Sequence, residues 1–339
     1  MKKFTKGCLI TALILFVFGC AFWGICGYMG GFRQLDNLNI SRDRFFSIGW
    51  NGIRWGYNGN WFGFWDDDDF DDDWWPKSAG TPSLVEVGDK VKTDYSALEI
   101  TDIDIELGGN NLIIEESEDE YIWIANNSNV KTVKYALKNG VFKLYYGNTV
   151  NNWNDIAKNS NIRLYLPEGM NLNTIDIEMG AGNMESIVLT ANEIDMEIGA
   201  GNFNIEGLLS DEVDISVGAG NAEIDNIDAE KVSLEVGAGE IVVDDMTVKN
   251  LELDCGMGNT AINGSVTGNV DIECGLGNVI LTLSGDAADY NYHVESVGNI
   301  SIGDDEYTGI IGERNINNGS SRKIDIECAA GNVAIDFVK

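Results

Sequence analysis

Carboxylates recur along this chain on a fixed grid. Asp176, Asp195, Asp214, Glu252 and Asp271 form one series, and Glu178, Glu197, Glu235, Asp254 and Glu273 a second series two residues further on, both in steps of 19 or its multiples. Paired carboxylates are the apparatus of glycoside cleavage, and stacked ones could hold divalent cations or basic peptides. An active site, however, needs particular residues to converge where a repeat breaks, and these acids are as periodic as the repeat itself. The only histidine, His293, lies in the irregular stretch 289–294 and reads as a surface or packing residue. No serine or cysteine nucleophile has a recognisable base. Cys255, Cys274 and Cys328 have no Cys-x-x-Cys spacing and no neighbouring histidine, so they read as small core residues rather than disulfide partners or metal ligands. No catalytic, cofactor-binding or metal-ligating residue is assigned, and no cofactor is expected.

The grid comes from a structural repeat. A Gly-x-Gly unit begins at Gly180, Gly199, Gly218, Gly237, Gly256 and Gly275, 19 residues apart each time, and Asn follows it in every copy but the one ending in Glu240. Before each unit apolar and polar residues alternate, as in Ile194-Asp195-Met196-Glu197-Ile198, the period-two pattern of a strand with one buried face. A second short alternation follows, with Phe203 and Ile205, Ala222 and Ile224, Ile241 and Val243, or Val279 and Leu281 facing the same interior, which gives at least two strands per rung. Such a repeat predicts a parallel β-solenoid whose units complete one another's core by stacking.

Nineteen residues at roughly 3.3 Å each limit the perimeter to about 60 Å, so side chains fill the cross-section and leave no lumen for a ligand. Equivalent residues should form columns up the stack, among them Met179, Ile198, Val217, Val236, Cys255 and Cys274, with Cys328 in the same place in a final rung. The glycines are required where turns lie over turns, and they tolerate positive φ. The asparagines should stack as a ladder. A phosphate-cradling role for Gly-x-Gly is disfavoured, because no helix follows and the motif occurs six times.

Less regular sequence flanks the array. Ile103 to Asn110 repeats the phrase with one residue fewer, and Val297-Gly298-Asn299 and Ala329-Ala330-Gly331-Asn332 repeat it after insertions, as capping rungs should. Between them and the array, strands are expected at Tyr121-Ile122-Trp123-Ile124, at Val133 to Leu137, at Phe142 to Tyr146 and at Ile162 to Leu166.

The run from Ile162 through Leu166-Pro167-Glu168-Gly169 to Leu172, followed by acidic strands and Gly-x-Gly-Asn turns, resembles the bacterial "putative adhesin" β-strand-repeat family, a domain of unknown function. The resemblance covers roughly residues 95 to 339. It implies a β-solenoid, often tethered to a bacterial envelope and sometimes linked to envelope-stress sensing, with no catalytic residues to carry over.

Residues 1–32 read as a membrane anchor. No charge falls between Gly7 and Phe32, Leu9 to Ile25 is dense in apolar residues, and Lys2, Lys3 and Lys6 precede the segment. Apolar residues continue through Trp23, Ile25 and Tyr28, which favours a retained transmembrane helix over a cleaved signal peptide. Val17-Phe18-Gly19-Cys20 is only faintly like a lipoprotein cleavage site. Arg33, Arg42 and Arg44 nearly balance the lysines, so charge does not fix the orientation, and the resemblance and the solenoid architecture favour an extracytoplasmic C-terminal domain.

Residues 33–92 combine Gly, Asn and aromatic residues with the acidic run Asp66 to Asp73, and read as a flexible, self-repelling linker that lacks the spacing of a calcium loop. The solenoid is expected over 93–339.

Charge narrows the partners. Lys and Arg number 22 against 55 Asp and Glu, a net of −33, which disfavours nucleic acid and anionic headgroups. Within the acidic columns, solvent screening, divalent cations such as calcium, basic peptides or raised carboxylate pKa values could each relieve repulsion. The resulting expectation is a non-enzymatic, membrane-anchored surface solenoid that binds an envelope polymer, a protein or a cationic peptide. Alternatives are a sensory partner in an envelope-stress response and, more remotely, a polysaccharide-active enzyme.

Overall fold

The computed structural model describes residues 44–49, 52–57, 60–63, 90–126, 133–146, 161–308 and 311–339. The anchor segment 1–32 and the acidic run from Asp66 to Asp73 lie outside the described residues. The chain forms two compact units, Met1–Ala79 and Gly80–Lys339. In the first, β1 (Arg44–Gly49), β2 (Gly52–Tyr57) and β3 (Asn60–Gly63) make an antiparallel meander. It falls within the segment read as a linker, where the aromatic residues that suit a stalk also have high strand propensity.

The second unit is an all-β parallel solenoid. Its leading part contains β4 (Lys90–Ser96), β5 (Asp102–Gly109), β6 (Asn111–Glu116), β7 (Tyr121–Asn126), β8 (Val133–Lys138), β9 (Val141–Tyr146) and β10 (Asn161–Leu166). The regular array follows as β11 (Leu172–Ser186), β12 (Leu189–Ile205), β13 (Leu208–Val217), β14 (Asn221–Val236), β15 (Glu240–Cys255), β16 (Asn259–Val266), β17 (Val270–Cys274) and β18 (Asn278–Ser284). The trailing part holds β19 (Tyr290–Ser296), β20 (Asn299–Ile302), β21 (Asp305–Thr308), β22 (Ile311–Ile316), β23 (Arg322–Cys328) and β24 (Asn332–Val338).

Register in the array follows the sequence period. Asp176 pairs with Asp195, Asp195 with Asp214, and Glu252 with Asp271 across parallel neighbours. The expected interior is buried: Phe203, Ile205, Ile224, Ile241, Val243, Val279 and Leu281 are all 0–1 % exposed. Rungs of the array have a third pairing stretch beyond the two identified from the alternation, within the expectation of at least two. A short side at Leu208, Leu209 and Ser210 pairs with Ile227, Asp228 and Ala229. With so few residues per rung, it shows little periodicity of its own.

The glycines act mainly by clearance. A Cβ on Gly218 would sit 2.8 Å from the Gly199 carbonyl oxygen, and one on Gly220 2.7 Å from that of Gly201. Positive φ is confined in these units to Gly182 and Gly201. The asparagine ladder also forms: Asn202 Nδ2 donates to Asn183 Oδ1 at 3.2 Å, and Asn221 Nδ2 to Asn202 Oδ1 at 3.1 Å.

Two readings of the flanks need correction. Asn183 donates to Asn111, not Asn110, and Leu112 pairs with Met184, so Gly108-Gly109-Asn110-Asn111 is a full-length turn with Asn110 in the place of Gly182. That shift conceals β6 from a reading that starts the next strand elsewhere. At the other end, the two late repeats stack in the reverse of their sequence order, so the rung of Cys328 is not the final one. Strand β23 pairs with both β17 and β19, and β24 with both β18 and β20, so the last rung in sequence lies inside the one before it. Both ends are closed by antiparallel pairings, β4 with β7, β8 with β9, β19 with β22 and β20 with β21. Reversed strands end a parallel stack without offering its open ladder to another chain.

Candidate functional site

The most extended feature is a carboxylate ladder on one side of the solenoid. Alternation turns the acids of β5, β11 to β15, β17 and β23 outward, and in-register stacking sets them in two columns about 4.8 Å per step. The first runs Asp104, Asp176, Asp195, Asp214, Ser233, Glu252, Asp271 and Asp325; the second runs Glu106, Glu178, Glu197, Ser216, Glu235, Asp254, Glu273 and Glu327. Partial burial, followed by the charges of Asp104 and Asp195, pushes Asp176 up to about 6. Partial burial and then the charge of Asp176 push Glu178 up to about 7. Asp195, Glu197 and Asp214 are also raised, burial being the largest cause in each.

A basic residue stands at each end of the first column. Lys143 of β9 is the register partner of Asp104, bonding it at 2.9 Å and also pairing with Glu106. Burial alone would lower its pKa, but the hydrogen bonds to Glu106 and Asp104 outweigh that and raise it. His293 of β19 is the register partner of Asp325; its Nδ1 lies 2.8 Å from Asn315 Oδ1 and its Nε2 3.9 Å from Asp325 Oδ1. The His293 side chain is part-buried at the column's end.

Cys255, Cys274 and Cys328 stack in register and are buried, 3–4 % exposed. The Cys255 thiol donates to the Gly258 carbonyl at 3.3 Å. Hydrogen bonds shared with Cys255 and then Cys328, together with burial, push the Cys274 thiol up and keep it protonated. Among the described residues no group of three or more His, Cys, Asp or Glu side chains is arranged to hold a metal ion. A cleft of about 390 Å³ lies beside the Leu166–Leu172 loop, with apolar walls including Leu166, Pro167, Met170 and Val188 and with Glu116, Glu168 and Glu206 among its lining residues.

A second outward surface occupies the leading end. Lys92, Trp123, Tyr165 and Glu115 are successive register partners across β4, β7, β10 and β6. Asp119, in the turn before β7, accepts from Trp123 Nε1 at 2.8 Å and from Lys92 Nζ at 3.0 Å. The Trp123 bond, with Lys92 and Tyr121 contributing, holds the Asp119 carboxyl at about 2. Arg163 Nη1 donates to Glu115 Oε1 at 2.6 Å. The sequence reading found β7 and β10 but neither β4 nor β6, and so missed the surface the four strands share, since its residues come from four separate segments.

Fold and surface together define a β-solenoid with outward polar ladders. The family model Toastrack DUF4097 matches residues 100–336, and the chain belongs to that family. No curated protein matches the chain.

Among solved structures, one described as a putative adhesin from Bacteroides fragilis is 15 % identical with a TM-score of 0.46, covering 75 % of this chain and 100 % of its own. A putative lipid binding protein from Parabacteroides distasonis is 16 % identical with a TM-score of 0.41, covering 74 % and 96 %. A putative adhesin from Parabacteroides merdae is 14 % identical with a TM-score of 0.41, covering 77 % and 98 %.

Among the described residues no helix is long and apolar enough to cross a membrane.

Proposed function

We propose that this protein is a non-enzymatic binding module of a bacterial envelope, anchored by residues 1–32 with its solenoid outside the cytoplasm, and that it engages a cationic peptide, a basic protein or a wall polymer. The anchor rests on the uncharged stretch from Gly7 to Phe32. The observation that carries the binding role is the ladder itself: eight stacked strands present carboxylates or serines in two unbroken columns, with Lys143 already serving as an internal cationic ligand at one end. A periodic row of like charges favours an extended, oppositely charged partner and gives association that weakens with salt. Catalysis would instead need one position unlike its neighbours.

The test is capture. Full-length protein immobilised and exposed to wall fractions and solubilised membrane proteins should retain basic partners at low ionic strength and release them as salt rises. Retention of nothing, or retention unaffected when Asp195 and Asp214 are both changed to Asn, would overturn the reading. Protease added to intact, wall-stripped cells should degrade the solenoid, whereas protection until lysis would reverse the orientation.

A further inference from the structure

The row at the leading end has a chemistry unlike that of the carboxylate columns. Lys92, Trp123, Tyr165 and Glu115 lie side by side across four strands, a span of about 14 Å. The two central members are aromatic and part-exposed. The row is bracketed by a lysine and a carboxylate, and Arg163 lies beside it. The two cations Lys92 and Arg163 are paired with Asp119 and Glu115, so these four side chains carry no net charge in a chain of net charge −33. The patch is also held in place before any ligand arrives: Asp119 fixes the indole through Nε1 and the lysine through Nζ, while Glu115 fixes the guanidinium. Preorganised aromatic groups bracketed by hydrogen-bonding side chains reduce the ordering cost of binding.

Electrostatics and shape select the ligand class. A cation is better served by the carboxylate ladder, and a polyanion is repelled by the protein's field. A neutral pyranose chain has both required properties, an apolar C–H face for Trp123 and Tyr165 and equatorial hydroxyls for Asp119, Glu115, Arg163 and Lys92. We propose that this row is a glycan-binding platform for a neutral oligosaccharide of two to three sugar units in contact. The inference rests on the binding-module reading but uses a different surface, so the two fail separately.

Calorimetric titration of the full-length protein with chitohexaose, cellohexaose and maltohexaose tests it. At least one should bind at sub-millimolar Kd, with little change between low and high salt because the ligand is uncharged. Trp123→Ala and Tyr165→Ala should each weaken binding by about tenfold or more, while Trp123→Phe, which keeps an aromatic group at the position, stays within a few-fold of the parent. Absence of binding to all three, or undiminished binding by the Trp123→Ala, Tyr165→Ala double variant, would overturn the platform. Salt-sensitive capture of basic partners in the same preparation would leave the ladder reading standing.

Discussion

The regular array and the leading end are made from similar alternating strands but present opposite kinds of surface. From β11 to β18 every rung repeats its predecessor, so an outward Asp or Glu becomes a column; the cross-rung ion pairs of that stretch include Lys231 with Glu212 and Lys249 with Glu230. From β4 to β10 the strands reverse direction and draw on unrelated segments, so Lys, Arg, Asp, Glu, Trp and Tyr meet once, in fixed pairs. Repetition builds an extended field, and its interruption builds a local site. The same contrast appears in the glycines, since a Cβ on Gly108 meets nothing within 4 Å whereas one on Gly220 meets the rung beneath.

The largest effect should come from breaking that contrast at the turns. Gly220→Val places a branched side chain against the Gly201 backbone and should cost about 3 kcal/mol or more, a fall in Tm of roughly 6–12 °C for a unit of this size. Gly108→Ala should move Tm by no more than about 2 °C. Equal effects of the two substitutions would remove the distinction between stacked and terminal turns.

Lys143→Met takes the cation from the end of both columns. Its side chain is 14 % exposed and its acidic partners 24–25 %, so the loss should be about 1–2 kcal/mol at pH 8, below the cost of breaking a fully buried pair. The loss should shrink at pH 5.5, where Asp176 and Glu178 hold protons and the remaining acids repel less. A loss independent of pH would mean that Lys143 contributes packing alone.

Proton linkage sharpens the comparison further. Asp176 and Glu178 have folded pKa values raised to about 6 and about 7, above the ordinary carboxylate range. The folded state therefore binds more protons than the unfolded chain between about pH 4 and 7, and stability increases as pH falls through that window. Tm should rise on going from pH 8 to pH 5, and Asp176→Asn combined with Glu178→Gln should flatten the rise. A Tm that falls over the same interval in the parent would contradict the ladder's electrostatics. Below about pH 4 the gain should reverse, as carboxylates held low by partners, such as Asp119 and Asp286, become protonated.

The smallest effect concerns calcium. The columns offer neighbouring carboxylates but no convergence of three among the described residues, so millimolar calcium should raise Tm no more than sodium of equal ionic strength. A calcium-specific increment that vanishes in the Asp195→Asn, Asp214→Asn variant would show site binding instead.

Much of this molecule could be read from its period. A step of 19 residues places the acids, the asparagines, Cys255 over Cys274 and the stacked glycines of the array correctly, because in a parallel in-register stack sequence offset and spatial adjacency are the same quantity. That equivalence fails wherever the chain turns back. Asn110 and Asn111 could not be told apart without knowing which one meets Asn183, and the short side at Leu208–Ser210 has too few residues to show alternation. The aromatic row was the least legible: Tyr121 and Trp123 mark a strand face, but antiparallel pairing alone brings Tyr165 beside Trp123 and Lys92 beyond it.

The insertion of β23 and β24 between older rungs has a consequence for how the protein is made. A solenoid whose rungs stack in sequence order can zip up behind the emerging chain, each rung using the previous one as its template. Here β19 and β20 must wait beside a gap until residues 322–338 arrive to fill it, since their parallel partners come later in the chain. Completion is thus deferred until residues 322–338 have been made, and these non-local pairings should fold late. A chain ending before Arg322 would lack an interior course rather than an outer one, leaving the strands on either side without their shared neighbour.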